Sequence, residues 1–342
     1  MSLRLAQSLR RALALVACTA AVSVAGTGSA LAWGHTGHRI IGYLAVEGLP
    51  ADMPVFLRAS ADDAGELARE PDRSKGSGRT HDTDRDPAHF IDLDDNARAL
   101  GGPSIDQMPA TRAEYETQLR AVHTDSWSAG YLPFEIVAAW QQLRTDLAYW
   151  RVLNAALARP QTPEHRIWLE ADLRRRQMLT MADLALLEHL VGDGSQPLHV
   201  SEHYNGWGAY PNPHNYTTAR IHGPFEGEFV QSNVTLEAVR AAMAPYRDCN
   251  CPIETRTATY LRTTWTFVEP LYQLWGDGGF RAGDARGRIF ATSRVAAGAS
   301  ELRDMIIDAW RASASARVGY PAISEAEVAG GADPWIALHG GD

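Results

Sequence analysis

Apolar residues recur at helical spacing along most of the chain. In the segment 38–49 (HRIIGYLAVEGL), Ile40, Ile41 and Leu44 follow the three- and four-residue intervals of a buried helix face. The same spacing predicts long helices at 134–158 and 164–193, and further helices at 256–275 and 293–310. Segments with strict alternation of apolar and polar residues, which would indicate strands, are scarce. The pattern therefore predicts an all-α protein.

Three stretches lack this periodicity and are predicted to be loops: residues 60–110, residues 200–225 and the tail after Ala316. Loops of this length are uncommon in a compact domain unless they have a function. No repeat, low-complexity linker or long charge block divides the chain. We therefore expect a single compact multi-helix domain over residues 33–342, with long active-site loops.

The first 32 residues have the pattern of a secretory signal peptide. Three arginines precede an apolar run at 13–24, and Ala30-Leu31-Ala32 is a small-residue cleavage pattern. The apolar run is short for a membrane span, although an uncleaved anchor is the alternative interpretation. We expect cleavage after Ala32, a secreted or periplasmic protein that begins at Trp33, and no stable membrane association.

Charge and cysteine content narrow the possible functions. The formal charge of the whole chain is −9, and it becomes −12 when the three arginines of residues 1–32 are removed. An acidic protein does not grip nucleic acid with a broad basic face, but it can present positive charge through bound metal. Cys249 and Cys251 are predicted to form either a strained disulfide or a pair of free thiols.

The stretch EHLVGDGSQPLH carries the strongest chemical signal. His189 and Asp193 are four residues apart, so a helix places both on one face, and His199 follows after an exit predicted at Gly194. Imidazole nitrogen and carboxylate oxygen atoms suit zinc, which takes about four such ligands. The alternative is a solvated helix end, with His189 near the negative end of the helix dipole.

Two further stretches repeat this combination of residues. In RIHGPFEGEF, His222 and Glu226 are four apart, and a helix beginning at Pro224 brings them together, although Gly223 is expected to lie outside α geometry. In AHFIDLDDN, His89 lies three residues before Asp92. A surface turn and a solvated Asp-rich loop are the respective alternatives.

Trp33 directly follows the predicted cleavage site. A free α-amine titrates near 8, so a metal can displace its proton, and the Trp33 carbonyl oxygen completes a five-membered chelate. His38 lies about one helical turn later. The alternative is that Trp33 is simply the first residue of the core.

Taken in order, these positions resemble the zinc-dependent single-strand-specific nucleases of the mung-bean type, which share a helical fold with bacterial zinc phospholipase C. The nine positions that carry the resemblance are Trp33, His38, Asp72, His89, His189, Asp193, His199, His222 and Glu226. The likeness covers residues 33 to about 226. It implies a phospholipase C/nuclease-like fold for the catalytic domain.

The resemblance further implies three zinc ions and a set of ligands for each. The first ion would be held by Asp72, His89, His189 and Asp193. The second would be held by the Trp33 amine and carbonyl, His38 and the bridging Asp193. The third, more exposed ion would be held by His199, His222 and Glu226. Asp92 matches a catalytic carboxylate that orients the attacking hydroxide, Phe90 an aromatic residue that packs on a base, and Lys75 a lysine near the phosphate.

The chain departs from the family pattern at three places. The sequence Glu70-Pro71-Asp72 stands where the nucleases have Trp-Ala-Asp. Asp62 and Asp63 are therefore alternatives to Asp72 as the ligand. Glu226 stands where nucleases have Asp and the phospholipase has Glu. HYNGWGAYPNPHN replaces the Gly-Gly-Asn loop that shapes the nucleotide pocket.

We therefore expect a secreted endonuclease that hydrolyses single-stranded DNA and RNA to 5′-phosphate products, without an obligate protein partner. Four loop aromatics are predicted either to stack on unpaired bases or to pack within the loop: Tyr204, Trp207, Tyr210 and Tyr216. A phospholipase C acting on lipid headgroups and a non-catalytic exported zinc-binding protein remain as alternatives.

Overall fold

The computed structural model describes residues 33–341, and within them the protein is all-α apart from one two-stranded sheet. The predicted all-α fold class is thus confirmed. The signal peptide predicted at 1–32 lies outside the described residues, so its cleavage stays a prediction. Among the helices of residues 33–341, none is both long enough and apolar enough to span a membrane.

Sixteen α-helices, which differ widely in length, follow one another along residues 33–341. They are α1 (Gly34–Glu47), α2 (Val55–Arg58), α3 (Ala61–Leu67), α4 (Glu70–Arg73), α5 (Arg79–Arg85), α6 (Arg112–Ala121), α7 (Ser126–Ala129), α8 (Leu132–Leu157), α9 (Pro163–Ser195), α10 (Val230–Asn233), α11 (Leu236–Ala242), α12 (Ile253–Trp265), α13 (Val268–Gly276), α14 (Ala285–Ser313), α15 (Glu325–Ala329) and α16 (Trp335–His339). Short 3₁₀ helices span Asp86–His89, Ile105–Gln107 and Pro197–His199, and a π-helix spans Pro224–Phe229.

The sheet is a short antiparallel hairpin near the C-terminus. Strands β1 (Arg317–Val318) and β2 (Ile323–Ser324) pair Val318 with Ile323. Both apolar side chains pack into a small cluster with α8. The hairpin therefore attaches the C-terminal tail to α8.

Helix boundaries follow local sequence signals. The Thr162 side chain caps α9 by accepting a hydrogen bond from the His165 N–H, and Pro163 occupies the first turn. Asp284 caps α14 in the same way, by accepting from the Arg286 N–H. Thr111 and Glu114 form a reciprocal capping box at the start of α6.

The core lies where the three longest helices, α8, α9 and α14, pack against one another and α1 packs against α9 and α14. In α9 only the last third is fully enclosed, because Leu184 and residues 187–195 are buried whereas Met178 and Leu179 are exposed. The apolar periodicity did not reveal this change along the helix. The consequence is that the polar residues at the end of α9 lie inside the protein.

Two predicted boundaries are wrong. The helix expected at 256–275 is two helices, because the chain breaks between Trp265 and Val268. The loop expected at 60–110 contains short helices, α3 to α5 among them. Both errors arise because periodicity alone does not mark where tertiary packing interrupts or nucleates a helix.

Candidate metal centre

The last turns of α9 carry His189 and Asp193 into the core. Both side chains are completely buried. The helix does not end at Gly194 as predicted but continues to Ser195. Gly194 has a packing role instead, because a Cβ atom there would lie only 2.8 Å from the Tyr260 ring and 2.9 Å from Leu261. Glycine at this position therefore lets α12 approach the end of α9 that carries His189 and Asp193.

One group of potential ligands, the first triad, consists of Asp72, His89 and His189, and all three are buried. The His189 Nδ1–H donates to the Ala68 carbonyl oxygen at 2.8 Å. Its Nε2 then carries the lone pair, which faces His89 Nδ1 at 2.9 Å and Asp72 Oδ1 at 3.8 Å. An imidazole held by a backbone carbonyl through its other nitrogen is typical of a metal ligand.

A second triad shares His189 and adds His38 and Asp193. The His38 and His189 rings stack with centroids 4.0 Å apart, and His38 Nε2 lies 3.3 Å from Asp193 Oδ1. Asp193 Oδ2 lies 3.0 Å from His89 Nδ1, so the two oxygen atoms of Asp193 face different triads. Asp193 thus lies between His38 and His89, and its role as a bridging ligand stays a prediction.

Gly192 provides the space for His38. A Cβ atom on residue 192 would lie 2.7 Å from His38 Nδ1 and 2.9 Å from His38 Cε1. Such contacts are too short for real atoms, so a larger residue would displace the ring. The glycine one residue before Asp193 is therefore a requirement of the second triad.

The third triad consists of His199, His222 and Glu226, again all buried. The His199 Nδ1–H donates to the His89 carbonyl oxygen at 2.7 Å, which leaves Nε2 facing Glu226 Oε2 at 3.6 Å. His222 Nε2 lies 2.8 Å from the same oxygen. The backbone link between His199 and His89 places the third triad next to the first.

A π-helix positions Glu226 in its first turn, close to His222 as expected. The expectation that Gly223 lies outside α geometry is wrong, since its φ and ψ are −55° and −47°. Glycine has no Cβ atom to clash with the following proline ring, so the usual restriction before proline is relaxed. Single π-helical turns are frequent at functional sites.

The residues of the three triads fit a metal ion. Several of their buried nitrogen and oxygen atoms have no hydrogen-bond partner: His38 Nδ1 and Nε2, Asp193 Oδ1, His199 Nε2, His222 Nδ1 and Nε2, and Glu226 Oε1. Buried polar atoms left in this state cost free energy unless something satisfies them. Nitrogen and carboxylate oxygen atoms that converge while several of them lack a hydrogen-bond partner suit a divalent cation such as zinc.

The protonation states agree with ligation in the first and second triads. Burial lowers the pKa of His189 to about 3, so this imidazole is neutral and can donate a lone pair. Burial alone would raise the pKa of Asp193, but the neighbouring His189 and His199 side chains hold it well below its usual value. A neutral imidazole and an ionised carboxylate are the forms that bind metals.

The alternative ligands for the first triad are not part of it. Asp62 and Asp63 lie on α3 with exposed side chains, whereas Asp72 is buried beside His89 and His189. Asp72 also contacts Lys75, whose Nζ lies 2.5 Å from its Oδ1. The structure thus places Lys75 at the edge of the first triad.

Asp92 and Phe90 lie on the segment that follows His89. Asp92 is buried and its Oδ1 has no hydrogen-bond partner. Burial raises the pKa of Asp92 well above its usual value, the nearby His199 opposes this, and Glu202 adds to it. Phe90 is half-buried and packs on Gly130, where a Cβ atom would lie 2.6 Å from its ring.

Trp33 is a core residue by its side chain. The indole is completely buried, its Nε1–H donates to Ser195 Oγ at 2.6 Å, and its ring packs against Phe225. The neighbouring Gly34 would bring a Cβ atom within 3.3 Å of the Glu226 carbonyl oxygen. Trp33 therefore lies between the end of α9 and the π-helix, and chelation by its amine and carbonyl stays a prediction.

A cavity of about 400 Å³ opens beside the first triad. Its lining includes His89, Arg85, Arg112, Tyr131 and Ser74. The Arg112 guanidinium group lies 3.6 Å above the Tyr131 ring. The lining also includes Asp84 and Glu135, and Arg112 Nη1 lies 3.3 Å from Glu135 Oε1, so basic and acidic side chains both face this cavity.

The four loop aromatics divide into two pairs. Trp207 is buried and Tyr216 half-buried, and both pack against Tyr272, which is the loop-packing alternative. Tyr204 and Tyr210 are exposed. Only the exposed pair is free to contact a base.

Cys249 and Cys251 form a disulfide, so of the two predicted states of this pair the structure has the disulfide and not the free thiols.

Two contributors to the site lacked a sequence signal. Gln196 Nε2 donates to Glu226 Oε2 at 3.1 Å and so orients a triad ligand. Ser195 Oγ donates to the Gly192 carbonyl oxygen and accepts from Trp33. Neither residue type is distinctive in the stretch SQPLH, and only their long-range partners show what they do.

The comparisons with known proteins do not identify a family for this chain. A scan against protein-family models found no match. A search of curated proteins also found none. The resemblance to zinc-dependent nucleases stays a prediction that rests on nine ordered positions of the sequence.

Proposed function

We propose that this protein is a zinc-dependent phosphodiester hydrolase, an endonuclease that acts on single-stranded DNA and RNA. The observation that carries the proposal is the set of three adjacent buried triads, two of which share His189. Structural zinc sites are usually single and closed, whereas adjacent metal ions are typical of phosphoryl-transfer centres. The proposal includes three zinc ions, with Trp33 as an additional backbone ligand, and secretion after cleavage.

Zinc ions held by these triads would supply Lewis acidity, which lowers the pKa of a bound water so that hydroxide is available at neutral pH, and would offset charge on a phosphate. Asp92 is the residue proposed to orient that water, because its buried Oδ1 is free to accept a hydrogen bond. The charge interaction between Asp92 and His199 supports this assignment, because His199 belongs to the third triad. Lys75, at the edge of the first triad, offers positive charge to the phosphate.

Substrate contacts are proposed for residues around the triads. Phe90, Tyr204 and Tyr210 have accessible rings on which unpaired bases can stack, and such stacking is worth about 1–3 kcal/mol per base. Arg85, which lines the cavity beside His89, is proposed to contact a backbone phosphate, whereas Arg112 is paired with Glu135 there. A duplex keeps its bases stacked, so these contacts favour single strands.

The decisive experiment offers several substrates to the purified protein side by side. Circular single-stranded DNA, RNA, duplex DNA and phosphatidylcholine vesicles are incubated with the protein, with the chelator-treated protein, and after zinc is restored. We expect zinc-dependent cleavage of the single-stranded circle and of RNA, with 5′-phosphate ends. Release of phosphocholine alone would identify a phospholipase C, and bound zinc without turnover of any substrate would identify a zinc-binding protein.

A pair of variants tests the role of Asp92. Asp92→Asn should lower turnover by about 100-fold or more while metal content is unchanged, because the side chain positions water and holds no metal. Asp94→Asn is the matched control, since Asp94 Oδ1 only accepts backbone N–H groups of Asn96 and Arg98 and the amide oxygen can replace it. Equal turnover in both variants would exclude the proposed role.

A further inference from the structure

A separate group of ligand-type side chains lies outside the three triads. It consists of Asp95, Glu202 and His203, here called the outer cluster, and one ligand atom from each lies within 4.8 Å of the others. The outer cluster joins two loop segments, because the Glu202 N–H donates to the Leu93 carbonyl oxygen at 3.0 Å. Unlike the triads it is open to solvent, since the Asp95 side chain is 56% exposed.

His203 is held rigidly within this group. The residue is 2% exposed, and its ring stacks on Trp207 with centroids 3.7 Å apart and an angle of 12°. Its Nδ1–H donates to the Trp207 carbonyl oxygen at 2.9 Å. The ring therefore cannot rotate away without losing both the stacking and the hydrogen bond.

This arrangement determines what the other ring nitrogen can do. A neutral imidazole has one N–H, and here Nδ1 carries it, so Nε2 presents a lone pair. That lone pair faces Asp95 Oδ1 at a distance of 3.0 Å. Two electron-pair donors at this distance repel each other unless a cation or an additional proton lies between them.

We propose that the outer cluster binds a divalent transition-metal ion through His203 Nε2 and the carboxylates of Asp95 and Glu202. The nitrogen ligand favours an ion such as zinc over calcium or magnesium, which prefer oxygen ligands throughout. Two carboxylates balance the charge of the ion. The hydrogen bond from Nδ1 to a backbone carbonyl is the outer contact that fixes a ligating histidine.

The bound ion links the two segments that border the triads. Asp95 follows Asp92 by three residues, and Glu202 and His203 follow His199 closely. The first segment thus carries Asp92 and the outer-cluster residue Asp95. The second carries His199 of the third triad and the other two residues of the outer cluster. The site stabilises this part of the protein, and the inference does not depend on which substrate, if any, the triads act upon.

Metal stoichiometry tests the proposal. The purified protein and its variants are dialysed to equilibrium against buffered zinc, and bound zinc is measured by elemental analysis. We expect Asp95→Asn and His203→Asn each to hold one equivalent less than the parent protein. His214→Asn is the matched control, because His214 is an exposed histidine in the same loop, and it should retain the parent value.

Asp95 is exposed, so Asp95→Asn keeps the experiment informative even if the variant of the buried His203 does not fold. Parent stoichiometry in Asp95→Asn would overturn the proposal and identify the contact as an ion pair between imidazolium and carboxylate. The same comparison is repeated in an Asp193→Asn background, where the triads are impaired. If adding Asp95→Asn to Asp193→Asn removes one further equivalent of zinc, the outer site is independent of the triads. If it removes no further zinc, the proposal is contradicted.

Discussion

His189 donates a hydrogen bond from Nδ1 to the carbonyl oxygen of Ala68, 2.8 Å away in a distant part of the chain. The contact decides which nitrogen of His189 faces the first and second triads. It ties the buried end of α9 to the residue that directly follows α3. The orientation of the shared ligand is therefore set before any ion binds, which lowers the entropic cost of binding.

Replacement of Asp193 should affect two triads together. Asp193→Asn keeps the shape of the side chain but removes its charge, and we expect loss of bound zinc and a fall in turnover of about 100-fold or more, since even outer-contact mutations cost 10–100-fold. Elemental analysis and single-stranded DNA cleavage measure the two effects. Asp63→Asn on the exposed face of α3 is the control, and unchanged zinc content in Asp193→Asn would refute the bridging assignment.

A variant at Gly192 tests the second triad without replacing any of the proposed ligand residues. Gly192→Ala forces a Cβ atom against the His38 ring, so we expect destabilisation of about 1–3 kcal/mol together with reduced zinc binding. Urea unfolding and zinc titration measure these quantities. Gly276→Ala is the matched control because a Cβ atom there meets nothing within 4 Å. If both variants bind zinc like the parent, the close packing of His38 is not required.

The chemical state of the N-terminus should control part of the metal binding. A protein that begins at Trp33 is compared with one that retains Ala32, in which the Trp33 nitrogen is an amide and cannot ligate. We expect the extended protein to fold but to bind less zinc, and to turn over more slowly. Mass spectrometry verifies both starting residues. Identical zinc content would show that Trp33 contributes only its buried indole.

Asp146 should make stability depend on pH. Burial raises the pKa of Asp146 to about 7, the neighbouring Asp183 carboxylate adds to this and the Arg176 guanidinium group opposes it, whereas an unfolded Asp titrates near 3.9. The native state thus holds this proton more tightly than the unfolded chain does. The resulting stabilisation is complete below about pH 4 and is lost as the pH rises through about 7.

Asp146→Asn mimics the neutral form and should remove this part of the pH dependence. Between pH 4.5 and 7.5 the free energy of unfolding of the parent should fall relative to that of the variant, as measured by urea denaturation. Asp172→Asn, a partly exposed position on α9, is the control and should follow the parent. A constant difference between parent and Asp146→Asn over this range would contradict the raised pKa.

Much of the helical content was predictable because amphipathic periodicity reports which face of a helix is buried. The predicted segments at 134–158 and 164–193 correspond closely to α8 and α9, whose boundaries carry proline and capping signals. The break between α12 and α13 and the course of α9 past Gly194 were not predictable.

The grouping of the site residues was only partly predictable. Pairs at helical spacing, such as His189 with Asp193 and His222 with Glu226, follow from local geometry. The choice of Asp72 over Asp63 does not, since both are acidic residues at helix starts in the same segment. The outer cluster was missed for a similar reason, because Asp95 lies in an Asp-rich loop that resembles a solvated turn.

The sequence by itself determined the helical architecture and the kinds of ligand available, since both depend on residue type and short-range spacing. Only the tertiary structure decided which ligands converge. It buries the end of α9 and joins His89 to His199 through a backbone hydrogen bond. It also turns Trp207 into the loop core and directs His203 toward Asp95. Convergence depends on packing between distant segments, such as those of His189 and Ala68, 121 residues apart, and local spacing carries no information about such packing.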